Sequence, residues 1–259
     1  MTLLWPFGNG PFLEPEHETW QIETWAWLLR HLGGTQDLAR SPIVKPTRDF
    51  FSPTNATGHA RAEHVFAAVK RHARMADWPC DLIDQPKRPE TQLGEFVVLN
   101  AVSGGLPLGT FSHDGRRATI TYDPASIDDP ATLVATLAHE LAHYRLAALP
   151  GDPPGGPEAR EPATDLTTVY LGFGAFGANC AFNFRRHQDF LSQGWKWSRQ
   201  GYLGEREWVF SLAIFLQLRG EPVDTLRTLL KPHLFTDLRK AYRSLARRAA
   251  LLAPLRAIA

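Results

Sequence analysis

The run His139-Glu140-Leu141-Ala142-His143 constrains this chain more than any other five residues. An α-helix repeats every 3.6 residues, so two histidines four positions apart on it lie on a single face and reach one common point. The surrounding segment reads as that helix. Asp128 and Asp129 are candidate N-caps, Pro130 suits the first helical position, and Pro150-Gly151 ends the pattern after about Ala148. Leu133, Leu137, Leu141 and Ala142 pack apolar surface around the histidine face, as a buried helix requires. With 10 His and 13 Glu in 259 residues, chance placement gives about 0.02 such patterns per chain, so the run asks for a chemical reason.

That reason is metal binding. Both imidazoles can reach one Zn²⁺ at about 2.0–2.1 Å, while Glu140 sits beside their face, placed to deprotonate a bound water rather than to ligate. A catalytic zinc needs a third protein ligand and one open position. Only Cys80 and Cys180 are present, so no all-cysteine cluster exists and the donors must be His and carboxylate. After a Pro/Gly loop, Gly151 to Pro157, the next helix opens with Glu161-Pro162-Ala163-Thr164-Asp165. Glu161 is the best third ligand, with Glu158 as its competitor at the loop edge. Asp165, one turn on, faces the same way as Glu161 and is placed to accept the second N–H of a ligating imidazole.

H-E-x-x-H followed 18 residues later by E-x-x-x-D resembles the gluzincin zinc metallopeptidases, over about residues 117–166. The resemblance implies that His139, His143 and Glu161 bind one zinc ion, that Glu140 is the general base, and that Asp165 supports a ligand histidine. It implies a zincin-like fold, with the strand Arg117–Tyr122 as the edge strand along a peptide or protein substrate. The reaction implied is metal-assisted hydrolysis, in which Glu140 takes a proton and delivers it to the leaving amine. Tyr170, His187, Arg185 and Tyr202 are all open as the donor to the oxyanion. The other kind of metallopeptidase, with a Gly after its second His and a third His three residues later, is excluded, because Leu146 and Leu149 occupy that stretch. Lacking a signal or prodomain pattern, the chain is closest in style to compact minigluzincin-like bacterial proteins. The alternative is a catalytically silent zinc-binding regulatory or partner-binding protein of the same fold.

The rest of the chain reads as α+β and mainly helical, with a small antiparallel sheet packed on the motif helix. Helices are expected from about Pro15 to His31, His59 to Met75, Glu158 to Phe184, Glu205 to Leu218 and Leu234 to Leu252. Glu95–Val102 and Arg117–Tyr122 are β-branched or alternating and separated by turn signals, which gives the antiparallel pair. Residues 35–57 read as a wrapping loop, and Trp78 through Pro89 as another. The division is an N-terminal helical and loop region at 1–90, a zincin-like core at 91–190 and a C-terminal helical region at 191–259, together one compact unit. A net charge of +1 argues against nucleic acid. No run approaches the 18 apolar residues of a membrane span, and Met1 to Gly10 lacks a basic start, so a cytoplasmic location is expected. No pattern specifies an oligomeric state.

Several other features have bland readings. Gly172-Phe173-Gly174-Ala175-Phe176-Gly177 matches a dinucleotide fingerprint, but no strand precedes it, so close helix packing is the better reading. Cys80 reads as a loop thiol and His113 as a turn residue. Residues 227–259 carry eight Lys and Arg against Asp237 alone, the solvated face of a packed helix by default and a surface for an acidic partner or a membrane otherwise. The eight tryptophans read as core and interface, with Trp195 and Trp197 as candidates to line a cleft.

Overall fold

Proline and aspartate set the helix starts. Pro15 lies in the first turn of α1 (Pro15–Leu32), which stops where Gly33 turns left-handed at φ 92°. A short α2 (Gly34–Leu38) and then α3 (Gly58–His72) precede three strands, β1 (Cys80–Asp84), β2 (Gly109–His113) and β3 (Ala118–Tyr122). Asp129 caps the motif helix α4 (Pro130–Ala147), its carboxylate accepting from Thr132 N at 3.2 Å and Thr132 Oγ1 at 2.7 Å. The chain continues through α5 (Arg160–Tyr170), α6 (Gly174–Gln188), α7 (Glu205–Arg219), α8 (Pro232–Arg247) and α9 (Ala253–Arg256). This computed structural model describes residues 10–86, 108–113, 117–188 and 203–259, and of 182–188 only the helical backbone.

The architecture is α+β and mainly helical, with a small three-stranded sheet among the described residues. That sheet is mixed rather than antiparallel. β3 lies in the centre, antiparallel to β2 and parallel to β1. The parallel partner comes from Cys80–Asp84, a segment that reads as loop because Asp81 and Asp84 break its apolar alternation and prolines flank it. Pairing along all five residues of β3 supplies what its local pattern lacks. The expected strand Glu95–Val102 lies outside the described residues. Among the described residues β3 is therefore not an edge strand, and β1 and β2 take the two edges.

The alternation of β3 does its expected work: Ala118, Ile120 and Tyr122 are buried, and the sheet packs on α4. Every residue of α4 from Thr132 to Ala142 is buried, because the sheet, α3, α5 and α6 surround it. A helix covered on all sides needs no polar face. Buried apolar residues from Phe12 to Leu255 join in one cluster around it.

The expected helix Glu158–Phe184 is broken. One turn of 3₁₀ helix (Pro157–Ala159) leads into α5, and Gly172, at φ 96°, separates α5 from α6. A side chain at Gly172 would collide with the Pro42 carbonyl, and Val44 N donates to Gly172 O at 3.0 Å, so the 35–57 loop seals this break. Gly174 and Gly177 face Leu212 and Trp208 of α7 too closely to carry a Cβ. The glycine run is thus a packing surface. α8 likewise stops at Arg247, short of Leu252, and buries Leu234, Leu238, Ala241 and Leu245 with Arg239, Lys240 and Arg243 outside. Arg248, just beyond it, pairs with the buried Glu18 at 2.6 Å, tying the chain end to α1.

The described tryptophans are structural. Trp25 and Trp208 are buried, and Trp25 Nε1 donates to Ser211 Oγ at 3.0 Å. Trp20 Nε1 donates to Pro154 O at 2.8 Å and holds the Pro/Gly loop before α5. Trp195 and Trp197 lie outside the described residues.

Candidate metal centre

α4 and α5 pack side by side, and each delivers its polar residues from one face. His139 and His143 come from successive turns of α4, their rings 4.7 Å apart and nearly perpendicular. Glu161, in the first turn of α5, meets both: Oε2 lies 3.5 Å from His139 Nε2 and Oε1 lies 3.5 Å from His143 Nε2. One ligand atom from each of the three residues falls within 4.8 Å of the others, a group that could hold a metal ion. Glu158, the competing carboxylate, is exposed in the 3₁₀ turn and is not part of this group.

The far side of each imidazole is also engaged. His139 Nδ1 lies 3.0 Å from Asp165 Oδ1, and the other oxygen of Asp165 accepts from Leu203 N at 2.8 Å. That carboxylate thereby joins α4, α5 and the approach to α7. His143 Nδ1 lies 3.2 Å from Thr164 Oγ1, a contact that the sequence reading missed. Threonine in a helix reads as a neutral residue, and only the i, i+3, i+4 register of Glu161, Thr164 and Asp165 places it on the same face.

The electrostatics call for positive charge. Burial works against charge on His139, but Asp165 and Glu161 more than offset it, and the imidazole is pushed up to about 10. Burial likewise opposes charge on Glu161, yet its contacts with His139 and His143 hold its carboxyl far below the usual range. Burial pushes the Glu140 carboxyl up, against the pull of the two imidazoles. Glu140 is buried and lies against the start of β2, where a Cβ on Gly109 would come within 3.0 Å of its Cγ.

The donor set fits a metal ion by two tests. Glu161 Oε2 is buried with no hydrogen-bond partner, since 3.5 Å to His139 Nε2 is too long for a good one. A tetrahedral ion with bonds of about 2.0–2.1 Å holds its ligands about 3.3–3.4 Å apart. The 3.5 Å gaps, one to each oxygen of Glu161, are long for direct hydrogen bonds and close to that spacing, and one ligand atom from each residue lies within 4.8 Å of the others. His143 and Glu161 keep 21% and 36% of their side chains exposed, so this end of the group opens to solvent, whereas His139 is enclosed.

The other sequence candidates fall elsewhere. Tyr170 is buried with its hydroxyl 3.2 Å from Leu32 O and 3.0 Å from Asp37 Oδ2, two acceptors that share its one proton, so it is committed away from the group. Arg185 and His187 lie where only the backbone of α6 is described, and Tyr202 lies outside the described residues. Cys80 begins β1 with its thiol pushed up to about 11 by burial, and it is not in the metal group. His113 closes β2 rather than making a turn, its ring 5.8 Å from that of Tyr144. Among the described residues no helix is long and apolar enough to cross a membrane.

No family model matches the chain, and no curated protein and no solved structure matches it. The likeness to the gluzincins rests on His139, Glu140, His143, Glu161 and Asp165 alone.

Proposed function

We propose that the protein is a zinc-dependent hydrolase acting on peptide bonds, with His139, His143 and Glu161 as zinc ligands and Glu140 as general base. The observation that carries the reading is the convergence of two imidazoles and one carboxylate beside a second, buried carboxylate, Glu140, that is not among them. Two nitrogens and one oxygen, with one side open to solvent, suit a catalytic rather than a closed structural zinc site. Bound there, zinc would supply an acidified water and polarise a carbonyl. Glu140 does the proton work: its carboxylate accepts the water proton and returns it to the departing amine. Its burial favours the neutral form and so makes the carboxylate a stronger base than one in water. Asp165 and Thr164 orient the two imidazoles. β2, running past Glu140 at Gly109, is the strand against which an extended substrate would lie.

The test is zinc content together with casein and peptide-library cleavage, for wild type and Glu140→Gln. Cleavage by wild type and none by Glu140→Gln, with zinc retained in both, supports the peptidase. Zinc in both and cleavage by neither leaves a zinc-binding protein without turnover. Absence of zinc from the wild type, unrestored by added zinc, refutes the reading.

A further inference from the structure

Thr164 is fully buried, and its Oγ1 lies 2.9 Å from Arg160 O and 3.2 Å from His143 Nδ1. A hydroxyl has one proton to give. The Arg160 carbonyl can only accept, so that proton goes to Arg160 O, and Thr164 Oγ1 meets His143 as an acceptor. Nδ1 of His143 therefore carries the hydrogen. In the neutral imidazole Nε2 is then the lone-pair nitrogen, and it is Nε2 that lies 3.5 Å from Glu161 Oε1.

We propose that Thr164 is a positioning residue that holds His143 in the Nδ1–H tautomer and so sets the affinity of the site for its metal ion. This rests on the metal-binding reading above. Without the hydroxyl, nothing described at Nδ1 holds the hydrogen there. The ring is then free to carry it on Nε2 and donate to Glu161, which engages two ligand atoms with each other. The two histidines are thus backed differently, His139 by the Asp165 carboxylate and His143 by a neutral hydroxyl whose own proton is fixed by Arg160 O. One face of α5 supplies a ligand and both supports, at i, i+3 and i+4.

Thr164→Val removes the hydroxyl at nearly constant volume, and Thr164→Ser keeps it. Zinc affinity is measured by competition with a chromophoric chelator, and ¹⁵N shifts of the imidazoles are recorded on metal-free protein at a pH where His143 is neutral. The valine variant is expected to bind zinc about 10–100-fold more weakly, the loss typical of removing a partner behind a ligand. The serine variant should bind as the wild type does. The spectra should show Nδ1–H for His143 in wild type and Thr164→Ser, and Nε2–H in Thr164→Val. Circular dichroism checks that all three are folded. Zinc bound by Thr164→Val as tightly as by wild type overturns the proposal while leaving the metal site standing. Equal weakening in both variants also overturns it, because packing rather than the hydroxyl would then be at work. Wild type with no zinc affinity removes the metal reading and this proposal together.

Discussion

Asp165→Ala should destabilise the metal-free protein by a margin that its hydrogen bonds set. The Asp165 side chain is 2% exposed and accepts from two buried donors, His139 Nδ1 at 3.0 Å and Leu203 N at 2.8 Å. Alanine removes the Asp165 acceptor from both. A buried donor stranded in this way costs about 1–3 kcal/mol, so the pair costs about 2–6 kcal/mol. Against the roughly 5–15 kcal/mol that holds an ordinary domain together, that is a large fraction. Asp165→Asn separates the two bonds, because an amide oxygen can still accept from one donor while its NH₂ cannot serve the other. Its loss should fall near half that of alanine. The assay is urea unfolding with excess chelator, since any bound metal would add its own binding energy to the folded state and mask the difference. Amide exchange at Leu203 reports the second bond separately. The expected order is wild type, then asparagine, then alanine. An alanine variant within about 0.5 kcal/mol of wild type would show that these donors find other partners, and the accounting would fail.

Gly109→Ala should cost about 1–3 kcal/mol by overpacking, because its Cβ would lie 2.7 Å from Thr136 Cγ2, 2.9 Å from Thr121 O and 3.0 Å from Glu140 Cγ. Adding Thr136→Ser deletes the nearest of those atoms and should recover part of the loss in chemical denaturation; no recovery would place the strain elsewhere. Asp37 gives an acid-side signature. Burial raises its pKa, but the Arg74 guanidinium and the Tyr170 hydroxyl outweigh that and hold it below its ordinary value of 3.8. A group lowered on folding contributes stability that is present above its unfolded pKa and disappears as pH falls through the folded one. Thermal unfolding followed down from pH 5 should therefore show a shallower acid decline in Asp37→Asn than in wild type, and parallel curves would refute the assignment.

Much of this architecture is legible because local and tertiary signals agree. Asp129-Pro130 starts α4, and the strand Ala118–Tyr122 has the alternation that its burial requires. Where the reading fails, tertiary contacts decide. β1 has two aspartates in five residues and becomes a strand through parallel pairing with β3. The helical pattern across Gly172 is continuous in composition, yet the left-handed turn there depends on the Pro42 loop pressing against it from 130 positions upstream. No window of 15 residues contains that information.

The metal group divides along the same line. His139, Glu140 and His143 are legible because one helix fixes their mutual geometry, whatever surrounds it. Glu161 and Asp165 follow from a carboxylate pair one turn apart on the next helix. Thr164 cannot be read that way, since its role depends on which face of α5 turns toward α4 and on where its single proton goes. That choice follows from the break at Gly172, the tie from Asp165 to Leu203 and the Trp20 bond to Pro154, all of which orient α5 from outside the motif. Supports of this kind position ligands without resembling them. A search for metal-binding residue types will therefore find the atoms suited to touch an ion and pass over the hydroxyl proposed to fix the proton on one of them.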